Sequence, residues 1–180
     1  MSRKSRRGLV IVYTGDGKGK TSAALGALVR AVGYDWKVCM IQFIKGSWHY
    51  GEMDGVKRLA PNVEFVQAGQ GFYKIVDDKL PEEVHRKAAQ EGLRLAREKI
   101  SSDQYDLVIL DEINNTVQTE LLSVDDLLGL LDLKPPWLHL MLTGRGAPPA
   151  LIERADLVTE MREIKHPYQK GLFAQKGIDF

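Results

Sequence analysis

Leu9-Val10-Ile11-Val12-Tyr13-Thr14-Gly15-Asp16-Gly17-Lys18-Gly19-Lys20-Thr21-Ser22 is the stretch on which the architecture turns. Its first five residues form an apolar run of strand length, ended by a glycine cluster. From Lys20 to residue 32 the chain is rich in Ala and Leu and reads as a helix, with Gly33 as its stop. Phosphate oxygens want several backbone N–H donors at close range, and glycine lets a backbone curl that tightly. The following helix adds the partial positive charge of its N-terminus. Lys20 is placed to neutralise phosphate charge, and the Thr21 hydroxyl to ligate Mg²⁺. The general phosphate-loop pattern puts its first glycine where this chain has Thr14, with Gly15 one residue later, so a tighter loop is expected. Thr14, Gly15, Asp16, Gly17, Lys18, Gly19, Lys20, Thr21 and Ser22 are therefore candidate phosphate contacts. The competing reading is a glycine-rich turn that binds nothing.

Outward from this loop, apolar runs alternate with helical patterns. Strands are expected at 38–43, 63–66, 107–110, 138–142 and 157–161, and helices at 81–100 and 124–131. Near-continuous apolar strands alternating with helices predict an α/β fold with a mainly parallel sheet covered on both faces. Ligands of such sheets bind at the carboxyl ends of the strands. The 180 residues suit one domain from residue 8 onward, after a basic N-terminal arm at 1–7 whose Arg3, Lys4, Arg6 and Arg7 read as solvated. The tail from Lys165 has no clear periodicity.

Composition narrows the function. Formal net charge is +1, which argues against a nucleic-acid partner. No apolar run reaches the ~20 residues of a membrane span, and no secretory signal is visible, so a cytoplasmic protein is expected. The lone Cys39 lies in an apolar run and reads as a small buried hydrophobe. The four histidines make no zinc pattern.

Leu107-Val108-Ile109-Leu110 ends in Asp111-Glu112, an apolar strand running into two acids. Mg²⁺ keeps several waters, so one or two carboxylates beside a triphosphate suffice. If the strand continues, the two acids point to opposite sides. One of Asp111 and Glu112 can then hold the metal while the other faces ligand or water. These motifs indicate a Mg–nucleoside triphosphate and fit an ATPase, a small kinase or a group-transfer enzyme equally well.

Further motifs distinguish these. Ile41-Gln42-Phe43-Ile44-Lys45-Gly46 continues through Trp48 to Gly51-Glu52. Thr143-Gly144-Arg145-Gly146-Ala147-Pro148 and 155–161 (ADLVTEM) follow, then Lys165-His166-Pro167-Tyr168, Gly171 and Ala174-Gln175-Lys176-Gly177-Ile178-Asp179-Phe180. With TGDGKGKT and LDEIN, the chain from Gly8 to Phe180 closely resembles the P-loop class of cob(I)alamin adenosyltransferases. The resemblance implies a three-layer, RecA-like P-loop fold, usually homodimeric, using Mg²⁺ and ATP. It implies that reduced Co(I) of a corrinoid attacks C5′ of ATP and the whole triphosphate leaves, with a flavoprotein as reductant. ATP lies reversed in a shortened phosphate loop in such enzymes, in keeping with Thr14. By this resemblance Lys20, Thr21 and Glu112 are the catalytic candidates, Thr21 and Glu112 the leading metal contacts with Asp111 supporting, and Arg145 joins the ATP contacts. Lys45 and Glu52 either line the site or form a surface salt bridge. The alternative activity is a P-loop ATPase or kinase cleaving the terminal phosphate. A non-enzymatic nucleotide-gated module would want a basic stripe that this chain lacks.

The same resemblance marks a corrin-contacting loop, Gly71-Phe72-Tyr73-Lys74, where relatives carry Gly-Phe-Thr-Trp. Phe72 and Tyr73 are the corrinoid candidates. Lys74 is a hydrated cation and cannot serve as an apolar wedge. Tyr73 supplies the second aromatic, or the lower cobalt ligand is removed less completely, or the corrinoid differs. Asp16 stands where asparagine is common, and Lys18 and Lys20 are near enough in sequence to offset its charge. The stretch Asn114-Asn115-Thr116-Val117-Gln118 is also atypical.

Overall fold

The structure is a computed structural model that describes residues 5–44, 49–69 and 80–180. Six strands are described: β1 (Val10–Thr14), β2 (Val38–Gln42), β3 (Val63–Gln67), β4 (Leu107–Asp111), β5 (His139–Thr143) and β6 (Leu157–Glu160). They form one sheet in the order β3-β2-β4-β5-β1-β6, every pairing parallel. The helices are α1 (Lys20–Val32), α2 (Gly51–Lys57), α3 (Glu82–Ser101), α4 (Ile113–Gln118), α5 (Val124–Leu133) and α6 (Pro149–Arg154), followed by a 3₁₀ turn at Pro167–Lys170.

Alternation along the central strands sorts the side chains into two cores. Val38 and Met40 of β2, with Leu107 and Ile109 of β4, pack against Ala24, Leu28 and Ala31 of α1 and Val56 of α2. Cys39 and Ile41, with Val108 and Leu110, face Ala89, Leu93, Ala96 and Ile100 of α3 and the leucines of α5. Three layers result, as strands that are apolar on both faces demand. On α3 the buried residues His85, Ala89, Gly92, Leu93, Ala96 and Ile100 recur at helical spacing. Gly92 is small for a reason: a Cβ there would lie 2.9 Å from the Phe43 ring.

The expected strands fall within a residue or two of those observed, and Pro81 caps α3. α1 stops at Gly33, but Gly33 is right-handed; the left-handed residue is Asp35 at φ 58°. The short helices α2, α4 and α6 have no counterpart in the sequence reading. Arg6 also departs from the expected solvated arm. Its guanidinium pairs with Asp106 and lies 4.0 Å from the Trp36 ring centroid, and Trp36 stacks on His139. Arg7 does remain exposed.

Candidate nucleotide site

The carboxyl ends of β1, β5, β4 and β2 lie side by side, and they bring Thr14, Thr143, Asp111 and Gln42 into one row. One strand, β5, separates the phosphate-loop strand β1 from the acidic strand β4. Above this row opens a cleft of about 690 Å³. Asp16 through Ser22 form its floor, Glu112, Asn115 and Arg145 one side, and Leu25, Ile44, Tyr50, Gly51 and Glu52 another.

The phosphate loop is held from outside by the end of β6. The Gly17 N–H donates to Met161 O at 2.6 Å, and the Met161 N–H donates to Thr14 O at 2.8 Å. A Cβ at Gly15 would lie 2.6 Å from Met161 O, and Gly15 takes φ +93°. Gly19, at φ +106°, turns the chain into α1. Lys20 is buried, and its Nζ donates to the carbonyls of Gly15 and Gly17 at 2.7 Å each. Burial pulls its pKa below the usual lysine value, opposed chiefly by the Glu112 carboxylate.

Two of the phosphate-contact candidates belong to the frame of the loop. The Thr14 hydroxyl accepts the Ala147 N–H at 3.1 Å, and neither Thr14 nor Gly15 lines the cleft. Asp16 is 86% exposed at its side chain, and its charge is met by Arg145, whose Nε lies 4.0 Å away. The expected partner Lys18 instead pairs with the Asp179 carboxylate.

The acidic strand differs from expectation in an informative way. β4 stops at Asp111, and Glu112 adopts the left-handed conformation at φ 62° as it leads into α4. The two acids are therefore not on opposite sides of a continuing strand. Glu112 borders the cleft. Asp111 is fully buried beneath it. Its Oδ1 accepts the hydroxyls of Thr21 (3.0 Å) and Thr143 (2.7 Å), and its Oδ2 accepts Gln42 Nε2 at 3.1 Å. Asp111 thus meets the cleft through Thr21. Thr143 also accepts the Glu112 N–H at 2.9 Å, so one hydroxyl ties both acids. Gln42 donates further to Glu52 at 3.4 Å.

Among the described residues no three His, Cys, Asp or Glu converge as metal ligands. The donors here are hard oxygens, the Thr21 hydroxyl and the Glu112 carboxylate beside the phosphate loop. That set fits Mg²⁺, which takes its remaining ligands from phosphate and water.

The stretch after the acids is bonded to the loop that follows β5. Asn114 is fully buried and donates to Gly144 O at 3.3 Å, and Asn115 Oδ1 accepts the Arg145 N–H at 2.6 Å. α4 thereby fixes the loop that carries Arg145. Phe72, Tyr73, Lys74 and Lys45 lie outside the described residues. Gln42, Thr143, Asn115 and Asp179 were not singled out from sequence as site residues, although each sits in a stretch quoted above. A polar residue ending an apolar strand was the available signal for Gln42 and Thr143.

A parallel sheet with a lysine-bearing glycine loop after its first strand and a magnesium-suited acid across one intervening strand defines a P-loop nucleotide-binding protein. Comparison with known proteins refines this. The sequence description "ATP:corrinoid adenosyltransferase BtuR/CobO/CobP" matches residues 6–180. The corrinoid adenosyltransferase of Pseudomonas aeruginosa is 37% identical over 177 residues, 98% of this chain and 86% of that protein. That of Escherichia coli K12 is 38% identical over 178 residues, covering 98% and 88% respectively. The chain belongs to the ATP:corrinoid adenosyltransferase family. Among solved structures, the flagellar accessory protein FlaH from Methanocaldococcus jannaschii aligns with TM-score 0.59 at 13% identity, over 86% of this chain and 71% of its own, a likeness of fold. Among the described residues, no helix is long and apolar enough to cross a membrane.

Proposed function

We propose that this chain transfers the 5′-deoxyadenosyl group of ATP to the Co(I) centre of a corrinoid and releases triphosphate. The observation that carries the reading is the full-length family match joined to an assembled phosphate loop. The cobalt lone pair forms the Co–C5′ bond, the C5′–O bond breaks, and its electron pair departs on the triphosphate. No proton need move, because Co(I) is already a strong nucleophile. The protein's part is positioning and stabilisation of the leaving charge.

In this reading Lys20, the loop N–H groups and Arg145 receive the triphosphate, with Lys18 at its outer side. Thr21 and Glu112 would hold Mg²⁺, which would supply neutralisation of phosphate charge. Asp111, Thr143 and Gln42 fix the Thr21 hydroxyl and the start of α4 from below. Phe72 and Tyr73, outside the described residues, are assigned to the corrin by resemblance. A homodimer, a flavoprotein electron donor and a cytoplasmic location complete the proposal.

The test is optical. Protein, Mg²⁺–ATP and chemically reduced cob(I)alamin are mixed anaerobically, and the spectrum of light-sensitive adenosylcobalamin is followed. Its growth with protein concentration is expected. Unchanged cob(I)alamin alongside ADP formed without corrinoid would contradict the proposal.

A further inference from the structure

The chain's last residues return to the nucleotide cleft, where Gly177, Ile178, Asp179 and Phe180 close one side of it. We infer that Asp179 is an internal competitor of the triphosphate chain, holding Lys18 when the phosphate loop is empty and yielding it when triphosphate binds. This rests on the reading of residues 14–21 as a triphosphate cradle and extends it to the release of the leaving group.

Four observations carry the inference. First, the Asp179 carboxylate is ion-paired with Lys18 Nζ. Lys18 sits in the cleft floor, and a carboxylate there occupies an anionic position that a phosphoryl oxygen would otherwise take.

Second, the carboxylate is aimed by a closed turn. Its Oδ2 accepts the Gln175 N–H at 2.7 Å, and the Asp179 N–H donates to Gln175 O at 2.8 Å. The Gly177 N–H donates to Phe180 O at 2.7 Å, with Gly177 left-handed at φ +80°.

Third, burial is selective within this otherwise exposed tail. Asp179 is 18% exposed at its side chain, whereas its neighbour Ile178 is 80% exposed. Beyond it Phe180 reaches the start of α2, its carbonyl 3.9 Å from where a Gly51 Cβ would stand. The tail therefore spans from the phosphate loop to the opposite lip.

Fourth, among the described residues the other two cations of the cleft bond the phosphate loop itself. Lys20 bonds the carbonyls of Gly15 and Gly17, and Arg145 bonds the backbone of Asp16. Lys18 takes its partner from outside the loop, in the tail.

A tethered carboxylate competes at high effective concentration with a free polyanion. An enzyme whose leaving group is a triphosphate in a lysine-rich cradle gains a route to product release from such a competitor. The pair is partly exposed, so the effect is modest, about two- to tenfold in affinity.

The test is calorimetric titration of the whole chain with inorganic tripolyphosphate at low salt. Four proteins are compared: wild type, Asp179→Asn, Lys18→Ala and the double variant. Asn keeps the acceptor for the Gln175 N–H, so the turn persists while the charge goes. Asp179→Asn is expected to bind tripolyphosphate about two- to tenfold more tightly than wild type. In the Lys18→Ala background the same substitution is expected to change nothing. Equal or weaker binding by Asp179→Asn overturns the inference, as does the same gain without Lys18. If wild type and Asp179→Asn both bind tripolyphosphate equally well, the inference alone falls. If neither binds tripolyphosphate or Mg²⁺–ATP, the cradle reading falls and takes the inference with it.

Discussion

Replacing Thr143 with valine removes one hydroxyl and nearly nothing else, at the point where the two acids are joined. Thr143 is fully buried on β5, between the phosphate-loop strand and the acidic strand. Its hydroxyl donates to Asp111 at 2.7 Å and accepts the Glu112 N–H at 2.9 Å. A hydrogen bond to an ionised group contributes ~1.5–3 kcal/mol, and a buried donor left unsatisfied costs ~1–3 kcal/mol. The extra methyl of valine offsets part of this, so Thr143→Val should lose about 3 kcal/mol. At ~2–4 °C per kcal/mol for a chain of this size, that lowers Tm by roughly 6–12 °C. Thr143→Ser keeps the hydroxyl and should stay within about 1 kcal/mol of wild type. Thermal unfolding of the three proteins measures this. Mg²⁺–ATP affinity should fall further in the valine variant than in the serine variant, because Glu112 loses its anchor. A valine variant melting within about 2 °C of wild type, or a serine variant falling equally far, would refute the reasoning.

Gly17→Ala puts a Cβ 2.7 Å from Met161 O and the Arg162 carbonyl carbon, so the phosphate loop must move. Mg²⁺–ATP affinity should drop about tenfold or more and the melting temperature should fall with the lost Gly17–Met161 bond; an unchanged affinity would contradict the loop geometry. His139 is held below its ordinary pKa of 6.5 by burial first and then by Arg6 and Lys134. As pH falls through 6.5 the unfolded chain takes up a proton that the folded chain resists, so this group's share of stability is lost on acidification. Phenylalanine at 139 can keep the stack on Trp36 and gives up the bond from the Leu9 N–H. His139→Phe should therefore be less stable at pH 7.5, yet lose less on going to pH 5.5 than wild type; equal losses in urea midpoint would count against it.

The strands and the phosphate loop were legible because their signals are local. An apolar run of five residues followed by a glycine cluster and an Ala/Leu helix needs no partner to be read. The contacts that sequence left open are long-range or depend on a single backbone choice. Glu112 adopts a left-handed conformation that no residue type at 112 announces, and that choice takes it off the line of β4. Arg6 reads as a solvated charge until Trp36 and Asp106 are brought beside it by the fold. Asn114 and Asn115 look out of place within α4, and acquire meaning only against Gly144 and Arg145, which β5 delivers to the same end of the sheet. The short helices α2, α4 and α6 carry too few residues for a periodic signal. Asp179 stands in the closing motif at 175–180, which does not announce its partner, a lysine near the other end of the chain.

The central claim concerns which bond of ATP breaks, and phosphorus NMR of the spent nucleotide reads that directly. After a single turnover with equimolar cob(I)alamin, the account predicts resonances of free tripolyphosphate, one per adenosylcobalamin formed, and no ADP. ADP and orthophosphate in place of tripolyphosphate would show cleavage at the terminal phosphate and contradict the account.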